Sequence, residues 1–299
     1  MSDTITKFGP ISFITGTKGG RYPYCHSLYI EEAGVVIDPA SCLDQLQEIA
    51  RSGQAKSVWL SHWHEDHIMH LDLFEETTLC MHHLDGPPLE SLDVFIDWYG
   101  AEIQGSPHLK ARWEKLLLEE FNYKPRSIDQ DFSDGQCIDL DGLTVEVIHT
   151  PGHSPGHLSF YFVEPEILFL GDYDLTPFGP WYGDRYSNID EIIQSIRKLR
   201  QIPAKVWLTS HEFGIVESGN QIIWDDYLKV IDQREEKLLA FLEQPRTIKE
   251  IGEAWIIYGK PKEPMDEFEL MEQISMKKHA ERLIRCGEVV FSGDKYYRK

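Results

Sequence analysis

The feature that most constrains this chain is a concentration of metal-ligand side chains directly after an apolar segment. Residues 56–60 (KSVWL) have the pattern of a buried strand, and residues 61–67 (SHWHEDH) follow at once. The second run contains three imidazoles and one acidic ligand: His62, His64, His67 and Asp66. Imidazole and carboxylate groups both bind zinc and iron, so this grouping is typical of a divalent-metal site. The sequence therefore predicts a strand that delivers ligands to an ion at its carboxyl end.

Three further strand-like segments end in the same kinds of side chain. His153 follows residues 143–148 (LTVEVI), within a turn marked by two Pro-Gly pairs. Asp172 follows the apolar residues 168–170, and His211 follows a fourth apolar segment, VWLTS. Four strand ends thus supply five histidines and two aspartates. Seven ligands exceed what one tetrahedral ion binds, but they suit two ions that share a bridging carboxylate.

Four motifs resemble those of the metallo-β-lactamase superfamily of binuclear hydrolases: HWHEDH at 62–67, TPGH at 150–153, LGD at 170–172 and SH at 210–211. They occur in the family's order within roughly the first 225 residues, and no ligand position is substituted. The resemblance implies two divalent metal ions, with zinc expected and iron or manganese as alternatives. It also implies how the ligands divide. The first ion would be held by His62, His64 and His153, the second by Asp66, His67 and His211, and Asp172 would bridge them.

The chemistry that this family resemblance implies is hydrolysis. Two adjacent cations lower the pKa of a shared water from ~15.7 toward ~7, which supplies hydroxide at neutral pH. They also polarise a carbonyl or phosphoryl oxygen of the substrate. Asp66 is the predicted catalytic residue, because besides binding the second ion it can orient the hydroxide or relay a proton to the leaving group. A serine or cysteine nucleophile is not needed.

The predicted fold class is α/β, an αββα metallo-β-lactamase sandwich followed by a small winged-helix-like domain. Strands are predicted over residues 10–17, 27–31 and 35–38, and helices over 43–51 and 187–200. A long insertion at 82–136 carries apolar residues at helical spacing in its central part. It either caps the metal cleft or covers a sheet edge, and both interpretations stay open.

Residues 226–299 have a different pattern from the rest of the chain. An amphipathic helix is predicted over 226–242, a second helix begins after the N-cap residue Thr247, and a third spans 267–286. Residues 288–298 then form a predicted hairpin with the turn Ser-Gly-Asp. Three helices and a terminal β-ribbon resemble a winged-helix domain, so the predicted domains are residues 1–225 and 226–299.

An aromatic loop rich in proline and glycine follows the predicted bridging ligand, over residues 173–184. Tyr173 and Tyr182 are candidates for substrate binding, because a phenol near the ions can donate a hydrogen bond to substrate or oxyanion. Trp181 and Phe178 are candidates for an apolar wall. Two histidines flank His153, namely His149 and His157; either they orient the ligands or they are structural.

The charge is distributed very unevenly along the chain. The first 225 residues carry 15 Lys and Arg against 35 Asp and Glu, whereas the remainder carries 14 against 15. So acidic a catalytic region repels polyanions, which makes nucleic acid an unlikely substrate. The predicted third helix also begins with four acids in seven residues, at 266–272. We therefore favour a packing, dimerisation or pocket-forming role for the C-terminal segment over DNA binding, and a homodimer is one possibility.

Composition favours a cytoplasmic location. The five cysteines are odd in number and lack CxxC spacing, so they are expected to be reduced thiols. The N-terminus lacks a charged segment followed by an apolar one, which argues against secretion. Apolar runs all fall short of the ~20 residues that cross a bilayer, so a membrane partner is not expected.

The predicted function is a metal-dependent hydrolase of a small ester-like substrate, such as a thioester or a lactone. Two alternatives draw on these ligands: the first uses the same two metals, and the second uses a subset of the ligands with one iron. An RNase-like phosphodiesterase would be supported by basic residues along the cleft, and an iron-dependent persulfide dioxygenase would consume oxygen. The partner expected in the leading interpretation is a small molecule.

Overall fold

The structure, a computed structural model, describes residues 4–100, 103 and 105–299. Residues 1–3, part of the segment used for the localisation prediction, and residues 101, 102 and 104, within the predicted helical insertion, lie outside the described residues. The strands are β1 Ile5–Phe8, β2 Ile11–Ile14, β3 Ser27–Ile30, β4 Val35–Ile37, β5 Ser57–Trp59, β6 Thr78–Met81, β7 Gln130–Asp131, β8 Cys137–Leu140, β9 Leu143–His149, β10 Leu158–Phe162, β11 Ile167–Phe169, β12 Val206–Leu208, β13 Ile215–Glu217, β14 Arg246–Thr247, β15 Val289–Ser292 and β16 Lys295–Arg298. The helices are α1 Thr17–Gly20, α2 Leu43–Ser52, α3 Glu65–Ile68, α4 Pro87–Glu90, α5 Leu92–Tyr99, α6 Pro107–Glu119, α7 Ile189–Leu199, α8 Ile222–Phe241, α9 Ile248–Gly252 and α10 Met265–Arg285, with 3-10 turns at Leu71–Phe74 and His83–Asp85.

Two sheets stack face to face. The first has the strand order β1-β2-β3-β4-β5-β6-β7, antiparallel up to β4 and parallel from β4 to β7. The second has the order β13-β12-β11-β10-β9-β8, in which only β11 and β12 are parallel. Aromatic and branched side chains fill the space between the sheets, among them Phe13, Trp59, Phe160 and Phe169. The continuous apolar sequences of β4 and β11 match strands that are buried on both faces.

Helices cover both outer faces, which completes the predicted αββα order. Helix α7 buries Ile189, Ile192, Ile196 and Leu199 against the second sheet, at the spacing of one helix face. Its first turn is capped by Asn188, whose side chain accepts hydrogen bonds from two backbone amides. Helices α2, α5 and α6 pack against the first sheet. The predicted fold class is therefore confirmed for the sandwich.

The element predictions hold with two corrections in the described part of the chain. The strand predicted over 10–17 is β2, and β1 was not predicted. The helix predicted to begin at Asp226 begins at Ile222, so the proposed boundary between residues 225 and 226 falls inside α8. Its N-cap residue, Gln221, makes no side-chain capping hydrogen bond, so the capping residue that usually marks the start of a helix in a sequence is missing here.

The C-terminal segment has the predicted three helices and terminal hairpin. Strands β15 and β16 pair in register, and β14 adds to β16 to make a three-stranded sheet. The segment packs against the sandwich: Ile251, Met276 and Leu283 belong to the same apolar core as α7 and the outer face of the second sheet. Within the described residues, every helix is too short or too polar to cross a lipid bilayer.

Candidate metal centre

Four of the predicted ligands converge at the carboxyl ends of the central strands. His153 Nε2 lies 3.2 Å from His62 Nε2 and 2.9 Å from His64 Nδ1. The same nitrogen lies 3.3 Å from Asp172 Oδ2. All four side chains offer one ligand atom within 4.8 Å of the others. The structure thus brings together the residues assigned by resemblance to the first ion and its bridge.

The remaining predicted ligands form a second group beside the first: Asp66, His67 and His211. His211 Nε2 lies 3.5 Å from Asp66 Oδ2. Asp172 faces both groups with different oxygens. Its Oδ1 lies 2.9 Å from His67 Nε2 and 3.4 Å from His211 Nε2, while its Oδ2 faces the first group. A carboxylate in this position is suited to bridging two ions.

The second nitrogen of every ligand imidazole has a hydrogen-bond partner. The pairs are His62 Nδ1 with Ser61 Oγ (2.9 Å), His64 Nε2 with Asp184 Oδ2 (3.1 Å), His67 Nδ1 with Asp38 Oδ2 (2.9 Å), His153 Nδ1 with the Trp181 carbonyl (3.3 Å) and His211 Nδ1 with the Gly20 carbonyl (2.8 Å). A ring N–H that donates outward leaves the lone pair of the other nitrogen directed into the cleft. The tautomers favoured by these partners are those that bind a metal.

The donor set fits divalent cations. The lone-pair nitrogen of His153 lies within 3.2 Å of those of His62 and His64, an arrangement that is repulsive unless a cation lies among them. His67 Nε2 and Asp172 Oδ1 are both buried and lie 2.9 Å apart, but with the His67 N–H donated to Asp38 both atoms are acceptors and form no hydrogen bond with each other. Burial lowers the pKa of His211, but the nearby carboxylates of Asp172, Asp174 and Asp66 outweigh this effect and raise that pKa to about 10. This end of the cleft therefore attracts positive charge.

Comparison with known proteins supports the family resemblance seen in the sequence motifs. The family model described as the metallo-beta-lactamase superfamily matches residues 20–211. This chain belongs to the metallo-β-lactamase superfamily. The matched range contains all seven of the converging side chains.

Two crystal structures show how far the metallo-β-lactamase likeness extends in three dimensions. A metallo-beta-lactamase family protein from Thermus thermophilus matches with a TM-score of 0.71 at 21% identity, covering 97% of this chain and 99% of its own. A beta-lactamase domain protein from Burkholderia ambifaria matches with a TM-score of 0.69 at 15% identity, covering 100% and 94%. The shared fold therefore includes the C-terminal segment.

Curated relatives carry names from two groups. An atrochrysone carboxyl ACP thioesterase of Aspergillus fumigatus is 28% identical over 160 residues, which is 52% of this chain and 49% of the relative. The lactamase-like protein aptB of Emericella nidulans is 29% identical over 165 residues, or 53% and 51%. The chain thus spans about half the length of the curated relatives it matches.

Two buried aspartates of this metallo-β-lactamase chain were not among the predicted site residues. Asp38 follows β4 and is inaccessible to solvent; its Oδ2 accepts from His67, and both its oxygens accept from Ser61. Asp184 accepts from His64 and from the backbone amides of residues 186 and 187. Burial raises the pKa of Asp184, but the hydrogen bond and charge of His64 outweigh it and lower the pKa overall. Asp38 could have been found from its position at a strand end.

The turn that carries His153 is held by close packing. Gly152 has a φ of +123°, and a side chain there would collide with the backbone of α7 at Ile192. His157 is fully buried, and its Nε2 accepts from the backbone N–H of Asp172 at 3.1 Å, so it positions the backbone of the candidate bridging residue. His149 instead donates to the Pro155 carbonyl and stacks on His82, which is a packing role.

The two tyrosines predicted to bind substrate are buried, each with 1% exposure. The Tyr173 hydroxyl donates to the carbonyl of Thr150 at 2.9 Å. The Tyr182 hydroxyl lies 2.7 Å from His279 Nε2 and accepts from Arg234 at 2.6 Å. A direct hydrogen bond from either tyrosine to substrate would require breaking these contacts.

The long insertion packs directly on the ligand-bearing loop. Trp63 contacts the rings of Phe95, Trp98 and Tyr99 from α5, with centroids 4.9 to 5.5 Å apart. The Tyr99 hydroxyl donates to Glu65, which also accepts from Tyr22 at 2.9 Å. Because these contacts reach the metal-ligand motif itself, the insertion supports the cleft as well as covering the first sheet.

Aromatic side chains form the wall of the cleft in the described residues. Trp181 lies edge-on to His64 with centroids 5.3 Å apart and is 5.7 Å from His153. Its indole N–H donates to the Tyr258 hydroxyl of the C-terminal segment at 3.4 Å. Trp181 was predicted to form an apolar wall, and its position beside the first ligand group is consistent with that prediction.

Proposed function

We propose that this chain is a binuclear metal-dependent thioesterase that hydrolyses a small acyl thioester. The observation that carries the proposal is the convergence of seven side chains in two groups around Asp172, in a chain of the metallo-β-lactamase superfamily. The thioester is favoured because several of the relatives are named thioesterases, at 27 to 36% identity over part of the chain.

In this proposal the first ion is held by His62, His64 and His153, and the second by Asp66, His67 and His211, with Asp172 shared. Zinc is the expected metal, and iron or manganese would bind the same imidazole and carboxylate donors. When bound, the two cations would lower the pKa of a water and polarise the thioester carbonyl. The outward hydrogen bonds to Asp38, Asp184 and Trp181 keep the rings oriented.

Asp66 is the proposed catalytic residue. Its side chain is buried, with Oδ1 3.9 Å from His67 Nε2 and Oδ2 3.5 Å from His211 Nε2. A carboxylate in this position could bind the second ion through one oxygen and accept a proton on the other. A thioester suits a site whose acid is a carboxyl group, because a thiol has a pKa of about 8.5 and leaves without full protonation. An alkoxide is a more basic leaving group and depends more on proton transfer as it departs.

The sandwich before α8 would form the catalytic domain, and the segment from Ile222 onward would complete its cleft. Trp181, oriented by Tyr258, is the proposed apolar contact for the acyl chain. Tyr22 is 58% exposed, and its hydroxyl is anchored on Glu65 beside the ligand motif, so it is the proposed contact at the mouth of the cleft. The five cysteines form no disulfide within the described residues, as expected for the proposed cytoplasmic location.

The test is a substrate panel on protein loaded in turn with zinc, iron(II) or manganese, with metal content measured on each sample. The panel contains acyl thioesters of N-acetylcysteamine, the matching oxygen esters, lactones and bis(p-nitrophenyl) phosphate. We expect the highest kcat/KM with a thioester and a loss of about 10²-fold or more in Asp66→Asn. The exposed Asp44→Asn on α2 is the matched control.

Faster turnover of the phosphodiester than of any thioester would overturn the proposal. Oxygen uptake with a persulfide by the iron form, without thioester hydrolysis, would replace it by the dioxygenase alternative. One firmly bound ion per chain after supplementation would contradict the binuclear assignment.

A further inference from the structure

Arg234, on α8 of the C-terminal segment, is a buried cation with 3% exposure. Its Nη1 donates to the Pro180 carbonyl at 2.9 Å and to the Tyr182 hydroxyl at 2.6 Å, and its Nη2 donates to the Phe178 carbonyl at 2.6 Å. The guanidinium also lies 4.9 Å and 5.3 Å from the ring centroids of Phe178 and Tyr182. One side chain thereby fixes three groups of the loop that follows the bridging aspartate.

A second layer of polar groups holds the same loop through Tyr182. The Tyr182 hydroxyl donates to His279 Nε2, and His279 Nδ1–H donates to Glu235 Oε1 at 3.2 Å. Arg282 donates to both oxygens of Glu235, at 2.7 and 2.6 Å, so the carboxylate is tied in place. Burial lowers the pKa of His279, which keeps the imidazole neutral and able to accept from the tyrosine.

The loop held in this way supplies the partners of two metal ligands. The Trp181 carbonyl accepts from His153 Nδ1, and Asp184 accepts from His64 Nε2. Lys278 of α10 donates to the carbonyl of Ser187 at 2.8 Å, which holds the far end of the loop. His67 and His211, in contrast, take their partners from the end of β4 and from the loop before β3.

We infer that Arg234 and His279 are positioning residues for the first metal ion: through the loop 178–184 they keep His64 and His153 in the orientation that binds it. This inference rests on the metal binding of the proposed function but not on the identity of its substrate. In this inference the C-terminal segment holds the loop that positions His64 and His153.

The test measures the affinity of each ion in full-length variants by chelator competition with cobalt(II) or zinc. His153→Ala and His211→Ala each remove a ligand from one group only, so they assign the two binding steps. Arg234→Met keeps the side-chain volume but removes three donated hydrogen bonds. We expect this variant to bind the first ion about 10-fold more weakly, which is the lower end of the range for losing a residue that holds a metal ligand in place. Its affinity for the second ion should equal that of the parent.

Three further variants complete the series. Asp184→Asn removes the carboxylate that accepts from His64, so it should lower the affinity for the first ion and not for the second. Arg234→Lys keeps the charge but loses the forked guanidinium, so its affinity for the first ion should lie between those of Arg234→Met and the parent. Lys237→Met, on the exposed face of the same helix, is the matched control and should change neither affinity. The visible spectrum of the cobalt protein should change in the Arg234→Met variant and not in this control.

Equal weakening of both ions in Arg234→Met would indicate a general loss of structure and overturn the inference, as would parental affinity for both. If that variant does not fold, Tyr182→Phe and His279→Gln decide, since both keep volume and remove one link. A raised KM with unchanged metal affinity in Tyr182→Phe would overturn the inference and support substrate binding by Tyr182. Failure of thioester hydrolysis in the substrate panel would leave these metal affinities unaffected.

Discussion

At the scale of single residues, the candidate metal centre is built partly from groups outside the proposed ligand set. Asp38 illustrates this, because it is fully buried and its carboxylate is shared between His67 and both donors of Ser61. A buried carboxylate without such partners would be costly, so the three donors also stabilise the fold locally. The same side chain therefore sets the tautomer of a ligand and the position of the loop that carries three others.

Asp66→Asn tests the catalytic role proposed for Asp66. The change keeps the size of the side chain but removes the charge that faces His211 and the group that accepts a proton. We expect turnover of the best substrate to fall by ~10²-fold or more, while the ion held by His62, His64 and His153 remains. Turnover and metal content are measured on the same preparation, with Asp44→Asn in parallel. A variant that hydrolyses at the parental rate would show that Asp66 has another role.

Asp85 gives a prediction about pH. Burial raises the pKa of Asp85 to about 7, although Ser154 Oγ and Gly156 N–H both donate to it at 2.5 Å. In the unfolded chain an aspartate has a pKa of about 3.9, so between these values the folded state binds more protons and stability falls as pH rises. Above about pH 7 the penalty stays constant.

Asp85→Asn should remove this penalty, since an amide oxygen still accepts from Gly156 and its NH₂ donates to Ser154. Thermal unfolding at pH 5 and pH 8 should show the variant gaining stability relative to the parent at the higher pH. Asp232→Asn, at an exposed position of α8, is the control and should follow the parent at both values. A difference between Asp85→Asn and the parent that does not change with pH would contradict the prediction.

Residue-scale prediction from sequence found all seven converging side chains and named His157 as a candidate for orienting them, but it missed Asp38, Asp184 and Arg234. The ligands were visible because they sit in short motifs directly after apolar strands. Asp184 and Arg234 have no such motif, and their partners lie 120 residues (His64) and 52 residues (Tyr182) away along the chain. Tyr182 was singled out for its place in the loop, whereas its burial follows from contacts with α8 and α10 that no local pattern records.

At the scale of elements, strong local signals predicted structure well and weak ones did not. Helix α9 has the expected cap: the Thr247 side chain accepts from the Glu250 amide, and Glu250 accepts in return from the Thr247 amide. Strand β1 pairs with β2 at the edge of the first sheet, and its alternating exposed and half-buried residues gave little apolar signal. The start of α8 is set by packing of Trp224 into the core and not by a cap.

Thr247→Ala tests the contribution of this capping box. The substitution removes the acceptor for the Glu250 amide in a helix of only five residues, so we expect a loss of about 1 kcal/mol in the free energy of unfolding. Thr247→Ser keeps the acceptor and should retain most of the stability. Denaturant unfolding measures both. Equal stability of the Ala variant and the parent would indicate that α9 is held by tertiary packing alone.

At the scale of the whole molecule, the C-terminal segment uses its charges internally. Asp266 and Glu267, at the start of α10, pair with Arg112 of α6 at 3.2 and 3.0 Å. Further along the same helix, Arg282 and Arg285 both pair with Asp190 at the start of α7. The third helix of the C-terminal segment is therefore attached to the sandwich by both its acidic and its basic residues.

We consequently expect feeble binding of duplex DNA without sequence preference. Phosphate-driven association weakens steeply with salt, and the first 225 residues carry 35 acidic against 15 basic side chains. A fluorescence titration in about 150 mM salt, where the Debye length is about 8 Å, is the suitable measurement. Submicromolar, sequence-selective binding under these conditions would require a different role for residues 226–299.

Removal of the ions should destabilise the whole sandwich, because their proposed ligands come from both sheets. A ligand at 100 times its Kd stabilises the native state by about 2.7 kcal/mol. At about 2–4 °C per kcal/mol for a large domain, chelation should lower Tm by about 5–10 °C. Differential scanning calorimetry before and after chelation, with zinc added back as the control, measures the change. An unchanged Tm after complete metal removal would contradict binding across the two sheets.

The same distribution of ligands fixes when an ion can be captured during synthesis. The ribosome releases the first four candidate ligands, on residues 62–67, long before the fifth at His153 and the last at His211. The nascent first half therefore offers an incomplete set, and neither proposed group is whole until the second sheet has formed and docked. If the ions bind as proposed, we therefore expect the centre to be loaded only after both halves of the chain have been synthesised and have folded.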